Sequence, residues 1–138
     1  MLKRTLGALV GAYLLVAPSI HAQAAASAKD TIVDGRPLSE WVADLKAAAP
    51  QTRNAAAYEI SGLGPAGAPA VPALIEALDD PNASVRFPVT VALGEIGPGA
   101  SAAVPKLKKM MDEEINDEIA ASAKRAIRRI KPEALANE

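Results

Sequence analysis

The chain has no cysteine and a single histidine, His21, in 138 residues. Without a thiol there is no cysteine nucleophile, no cysteine-containing zinc site and no disulfide. His21 lies in an N-terminal segment expected to be removed, so the remaining chain has no imidazole and no Ser-His-Asp triad. No metal, no cofactor and no catalytic group is expected, which makes this a non-enzyme in outline. A strong charge excess is also lacking, with 15 basic against 16 acidic residues. Removing Lys3 and Arg4 leaves 13 against 16, a net charge of −3 that gives no general attraction to nucleic acid. Long apolar runs are absent beyond Leu6 to Val16, and that run is shorter than the roughly 20 residues a membrane span needs. A small domain without disulfides must hold itself by its core alone, and Ala-rich packing of helices is the means at hand.

The N-terminus reads as a secretory signal. Lys3 and Arg4 supply a charged start, Pro18 ends the apolar run, and Ala22-Gln23-Ala24 has the small-x-small pattern of a cleavage site. Cleavage is expected after Ala24, with Ala22 as second choice. That implies export to a periplasm or the exterior, with no stable membrane span afterwards. No Cys follows the run, which excludes lipidation at a new N-terminal Cys. Residues 25–37 are small and polar, a linker ending in the turn Gly35-Arg36-Pro37.

The rest of the chain repeats with a period of 33 residues. Arg53 falls on Arg86, Ile60 on Leu93, Gly64-Pro65 on Gly97-Pro98, and Val71-Pro72 on Val104-Pro105. Such a period marks a solenoid, whose units bury their apolar faces by stacking on one another. Leu38, Trp41, Val42 and Leu45 lie at helical spacing, as do Val71, Leu74, Ile75 and Leu78. Pro105, Leu107, Met110 and Met111 carry the third first-helix stripe. Second helices are expected inward at Ala56, Ile60 and Leu63, at Val85, Val89, Ala92, Leu93 and Ile96, and at Ile119, Ala123, Ala126, Ile127 and Ile130. Pro72 and Pro105 are expected one turn inside their helices, loosening or bending them. The third second helix matches only at an offset of 34, and Asn116 is placed to cap it. The expected organisation is units at 38–64, 68–97 and 101–132 and a tail at 133–138. The fold class is all-α, an α-α superhelix of about three helix pairs. Three units are about the minimum for a stable stack, which leaves self-association open.

The stretch Asp80-Pro81-Asn82-Ala83-Ser84-Val85-Arg86, followed by Ala92-Leu93-Gly94-Glu95-Ile96-Gly97-Pro98, resembles HEAT repeats of the phycobilisome-lyase-like type. Val71-Pro72-Ala73-Leu74 and Val104-Pro105-x-Leu resemble the first-helix signature of that family. The resemblance implies a right-handed superhelix whose second helices line a concave face, used as a scaffold or binding platform. It also implies structural roles for Asp80 and Arg86, tying the turns of neighbouring units. Arg53 has Ala47 where the Asp should be, so the role is carried onto Asp80 and Arg86 only, and Ala120 has lost the Arg.

Gly62-x-Gly64-x-x-Gly67 matches a dinucleotide glycine pattern, but helix precedes it and Pro65 lies inside it, so it reads as a connector. Asp79-Asp80 and Asp112-Glu113-Glu114 match no calcium loop and read as solvated turns. Trp41 reads as packing at the N-terminal cap. Lys124, Arg125, Arg128, Arg129 and Lys131 crowd the last helix, consistent with a soluble capping helix or an anionic surface contact. The sharper candidate is the second-helix face. Asn54, Phe87 and Ala121 are equivalent, as are Tyr58, Val91 and Arg125, with Glu95 and Arg129 extending the row. Tyr58, Phe87, Val91, Arg125 and Arg129 would then line a protein-binding surface. The bland alternative has Phe87 filling a gap in the core. The expected function is an exported interaction module with a protein partner and no nucleic acid. The alternatives are an accessory or lyase-like factor of an enzyme system and a membrane-surface adaptor through the basic last helix.

Overall fold

The computed structural model describes residues 30–136, so the expected signal segment at 1–24 lies outside the described residues. A two-residue antiparallel ladder comes first, β1 (Ile32–Val33) against β2 (Arg36–Pro37), with Val33 opposite Arg36. Its turn is Asp34-Gly35, both at positive φ (46° and 76°), the geometry of a tight hairpin turn. The stretch expected to be linker therefore holds a hairpin from residue 32 onward. Val33 is buried and helps close the N-terminal end of the core.

Six α-helices follow among the described residues. They are α1 (Leu38–Asp44), α2 (Pro50–Ser61), α3 (Val71–Ala77), α4 (Ala83–Ile96), α5 (Val104–Glu113) and α6 (Asp117–Ile130). Short 3-10 helices at Gly64–Ala70 and Gly97–Ala103 join one helix pair to the next, and a third covers Pro132–Leu135. Gly64 and Gly97 open those connectors at φ +55° and +73°, a left-handed conformation that glycine adopts without a Cβ penalty. Pro72 and Pro105 stand in the first turn of α3 and α5, not one turn inside as the sequence suggested. The residues ahead of them are 3-10, so no α-helical hydrogen bond is lost and neither helix is bent there.

The pairs α1/α2, α3/α4 and α5/α6 stack side by side. The second helices α2, α4 and α6 form one layer, with the most extensive contacts running α2 to α4 and α4 to α6. Between the layers lie the large buried side chains Ile60, Leu74, Leu78, Leu93, Ile96, Leu107 and Ile127. Each such burial contributes about 1.5–3 kcal/mol. In α5 Leu107 is buried and Met110 and Met111 pack against the core as expected, while Pro105 faces solvent and Val104 takes the inward position beside it. Trp41 is half-buried against the core; its Nε1 donates to the Val33 carbonyl at 3.1 Å, and the Arg36 guanidinium lies 4.0 Å over its ring. Asn116 caps α6 as expected, its Oδ1 accepting the Glu118 and Ile119 amides at 3.0 and 3.2 Å.

Candidate protein-binding face

The geometry of the second-helix layer is set by a repeated arginine device. Arg53, on α2, donates from Nη1 to the Ala47 and Ala48 carbonyls of its own turn (2.9 and 3.0 Å). Its Nε and Nη2 grip Asp80 of the next unit at 2.6 and 3.0 Å. Arg86, on α4, does the same one unit later. It donates to the Asp80 and Pro81 carbonyls at 2.9 and 3.2 Å and holds Glu114 at 2.7 and 2.9 Å. Each arginine fastens the turn of its own unit to a carboxylate of the following one, in the two-pronged geometry a guanidinium favours.

Asp80 and Arg86 therefore belong to successive rungs, and Asp80 gives Arg86 its backbone carbonyl, not its carboxylate. Arg53 does have a carboxylate partner. The comparison with Ala47 looked for the acid within its own unit. Asp80 is also not a solvated turn charge: it is buried, and its carboxylate additionally accepts the Asn82 amide at 2.9 Å. The Arg53 hydrogen bonds hold the Asp80 carboxyl below its usual range, against the opposing pull of burial. Arg86 does the same for Glu114. The sign that was overlooked is the spacing itself: Arg53 to Asp80 is a step of 27 residues and Arg86 to Glu114 one of 28, the extra residue being the one inserted in the third unit's turn.

A second lock joins α4 to α6. Thr90 Oγ1 lies 2.7 Å from both the Phe87 carbonyl and Ser122 Oγ, inside the layer. Each hydroxyl carries one proton and the carbonyl none, so both contacts are satisfied when Thr90 donates to the Phe87 carbonyl and accepts from the Ser122 hydroxyl. One turn on, a Cβ at Gly94 would stand 3.1 Å from the Ala126 Cα, so the two helices touch at backbone distance. Small residues at Gly94, Ser122 and Ala126 make that approach possible and leave the floor of a groove.

Above that floor is a cleft of about 110 Å³ whose rim is Val91, Glu95, Arg125 and Arg129. Arg129 spans it, bidentate to Glu95 at 2.6 and 2.7 Å. Arg125 is exposed and makes no hydrogen bond or ion pair with the described residues. Phe87 and Val91 are half-buried and stand outside the core cluster. Tyr58 is 48% exposed, one of the few large apolar side chains left in solvent. The structure thus gathers Val91, Arg125 and Arg129 around one cleft and sets Phe87 and Tyr58 along the same layer. Asn54 is committed elsewhere, its side-chain amide donating to the Ser84 carbonyl across α2 and α4.

The glycine pattern at Gly62 to Gly67 runs into a 3-10 connector, with Gly67 packed against the Ile60 carbonyl and the Ile96 side chain. Among the described residues no His, Asp and Glu side chains group as a metal site, and no helix is long and apolar enough to cross a membrane. No curated protein matches the sequence. The family described as HEAT repeats matches residues 38–128, the span from the start of α1 almost to the end of α6. That match, over a stack of helix pairs locked by a recurring Arg-to-carboxylate tie, makes this chain a member of the HEAT-repeat family.

Proposed function

We propose that the chain is a non-catalytic protein-binding module, exported after loss of its N-terminal segment, that holds a partner along the exposed face of α2, α4 and α6. HEAT repeats generally mediate protein–protein interaction. The observation that carries the reading to this face is the state of its apolar side chains. A small protein with an aliphatic core has every reason to bury its few aromatics, yet Tyr58 is left in solvent and Phe87 and Val91 remain outside the core. An aromatic and aliphatic strip flanked by Arg125 and Arg129 has the composition of an interface hot spot. Residues 25–138 hold no thiol and no imidazole, which supports a binding role over one built on cysteine or histidine chemistry.

The test is crosslinking of the tagged chain in its native envelope, followed by mass spectrometry of what it captures. A reproducible protein partner linked near Tyr58, Phe87 or Lys124 is expected. Phe87→Ala should weaken that capture at least about tenfold and move the melting temperature by no more than a few degrees. A large thermal loss with undiminished capture would instead make Phe87 a packing residue and remove it from the binding face.

A further inference from the structure

The cations of this protein are not distributed evenly between paired and unpaired. Arg36, Lys46, Arg53, Arg86, Lys106, Lys109 and Arg129 each have a carboxylate within 4.0 Å, and Lys108 is engaged as well. The remaining described cations are Lys124, Arg125, Arg128 and Lys131, and none of them has a partner among the described residues. All four lie on the C-terminal half of α6 or directly after it. They are spaced three or four residues apart, so each faces another cation on the helix surface, an arrangement that opposes helix formation. The helix dipole accounts for Arg128 and Lys131 but not for Lys124 and Arg125, because its influence fades beyond the last turn. A charge excess kept against local repulsion is complementary to an anion that the chain itself does not supply.

We infer that the partner is an acidic polypeptide segment, apolar where it crosses α2 and α4 and carboxylate-bearing where it crosses α6. The inference rests on the proposed reading of the second-helix face and adds the chemistry and polarity of its occupant. Along that face the surface changes from aromatic and aliphatic at Tyr58, Phe87 and Val91 to cationic at Arg125. Packed helices lie about 8–10 Å apart, so crossing from α2 to α6 covers roughly 20 Å. An extended chain spans that in about six residues. Arg125 is the contact residue for the first carboxylate, since its neighbour Arg129 is already neutralised by Glu95. A lipid surface fits less well. Insertion requires apolar side chains that protrude, whereas Phe87 and Val91 are recessed, and the exposed face of the basic segment offers no larger apolar residue than Ala121.

The experiment is selection of random displayed peptides of about twelve residues, long enough for the span with flanks, on the immobilised full chain. The enriched sequences are then synthesised and their affinities measured. Enriched peptides should carry an apolar pair and, about six residues away, two or more carboxylates. Arg125→Glu/Arg128→Glu should weaken them at least about tenfold with the melting temperature unchanged, both positions being exposed. Replacing the peptide's carboxylates by lysines should restore binding to that variant. Enriched peptides without carboxylates, or ones that ignore the double charge reversal but fail against Phe87→Ala, would overturn the inference and leave the binding face standing. Peptides indifferent to both changes would overturn the face as well. No enrichment, whether or not the chain binds phosphatidylglycerol vesicles through the same arginines, would also refute an acidic polypeptide occupant.

Discussion

Asp80→Asn is the sharpest probe of how this stack is held. The substitution keeps the shape of the side chain and removes its charge. Asp80 accepts two bonds from Arg53 and one from the Asn82 amide while 9% exposed. In the variant one amide oxygen still accepts, but the amide nitrogen, a donor, faces a guanidinium N–H, and the Arg53 charge has lost its counter-ion. Arg53 keeps its two backbone carbonyls, which limits the loss. Hydrogen bonds to a charged group are each worth about 1.5–3 kcal/mol. Losing one outright and weakening the other should therefore cost about 2 kcal/mol, or roughly a 10 °C fall in melting temperature for a domain of this size.

Acid should erase that difference. The Asp80 carboxyl titrates below its usual range when folded, so its stabilising contribution is complete above the unfolded value of about 3.9 and disappears as pH falls through the folded value. Glu114 shares the direction and the cause, with Arg86 in place of Arg53. Thermal melts of both proteins from neutral pH down to about pH 2 should show the two curves converging at the acid end. A cost at neutral pH under about 0.5 kcal/mol, the level of an ordinary surface change, would refute the tie as a determinant of stability. So would a gap between the proteins that stays constant across the titration.

Two further changes test the local geometry, and the two surface variants above test the binding face. Gly94→Ala sets a gain in helix propensity of up to about 1 kcal/mol against a Cβ 3.1 Å from the Ala126 Cα. A backbone atom cannot rotate away, so overpacking of about 1–3 kcal/mol should prevail and the melting temperature should fall; an increase would mean the α4–α6 contact is looser than described. Asn116→Ala removes the acceptor for two amides at the start of α6 and should cost about 1 kcal/mol in chemical denaturation.

The period of 33 residues made most of the fold legible. A repeat places equivalent residues in equivalent surroundings, so a pattern clear in the second unit could be carried to the first and third. Val85, Leu93 and Ile96 are buried with their counterparts Ile60, Ile119, Ile127 and Ile130. What escaped were interactions between units. A comparison that aligns units one beneath another shows what they share and hides what one gives the next, which is why Arg53 was separated from Asp80. The hairpin at Ile32 to Pro37 escaped because two residues per strand carry no alternation to detect. On the second-helix face, position could be read from helical spacing, but the pairing of Arg129 with Glu95 and the isolation of Arg125 depend on how far two helices are offset along their axes, which spacing along one chain does not encode.

The two ends of the stack carry opposite omissions, and together they bear on self-association. The internal rungs need an arginine on one unit and a carboxylate on the next. At the first turn Ala47 stands where Asp80 and Glu114 stand, so an arginine arriving from a preceding copy would meet no acid. At the last helix Ala120 stands where Arg53 and Arg86 stand, so that side offers no guanidinium to a following copy. The packing positions agree with the ties. Thr90 and Gly94 are the α4 residues that receive α6, through the Ser122 hydroxyl and the Ala126 backbone. Their equivalents on α6 are Lys124 and Arg128, both exposed. A further helix stacked there would have to desolvate two long cationic side chains, and the α2 of a following copy would bring a single carboxylate toward them, Glu59, which stands where Ala126 does on α6. End-to-end growth by copies of this chain would therefore go without the arginine tie that joins the internal units. The second-helix layer relies on no tie to another copy, so a partner proposed to lie there meets neither omission.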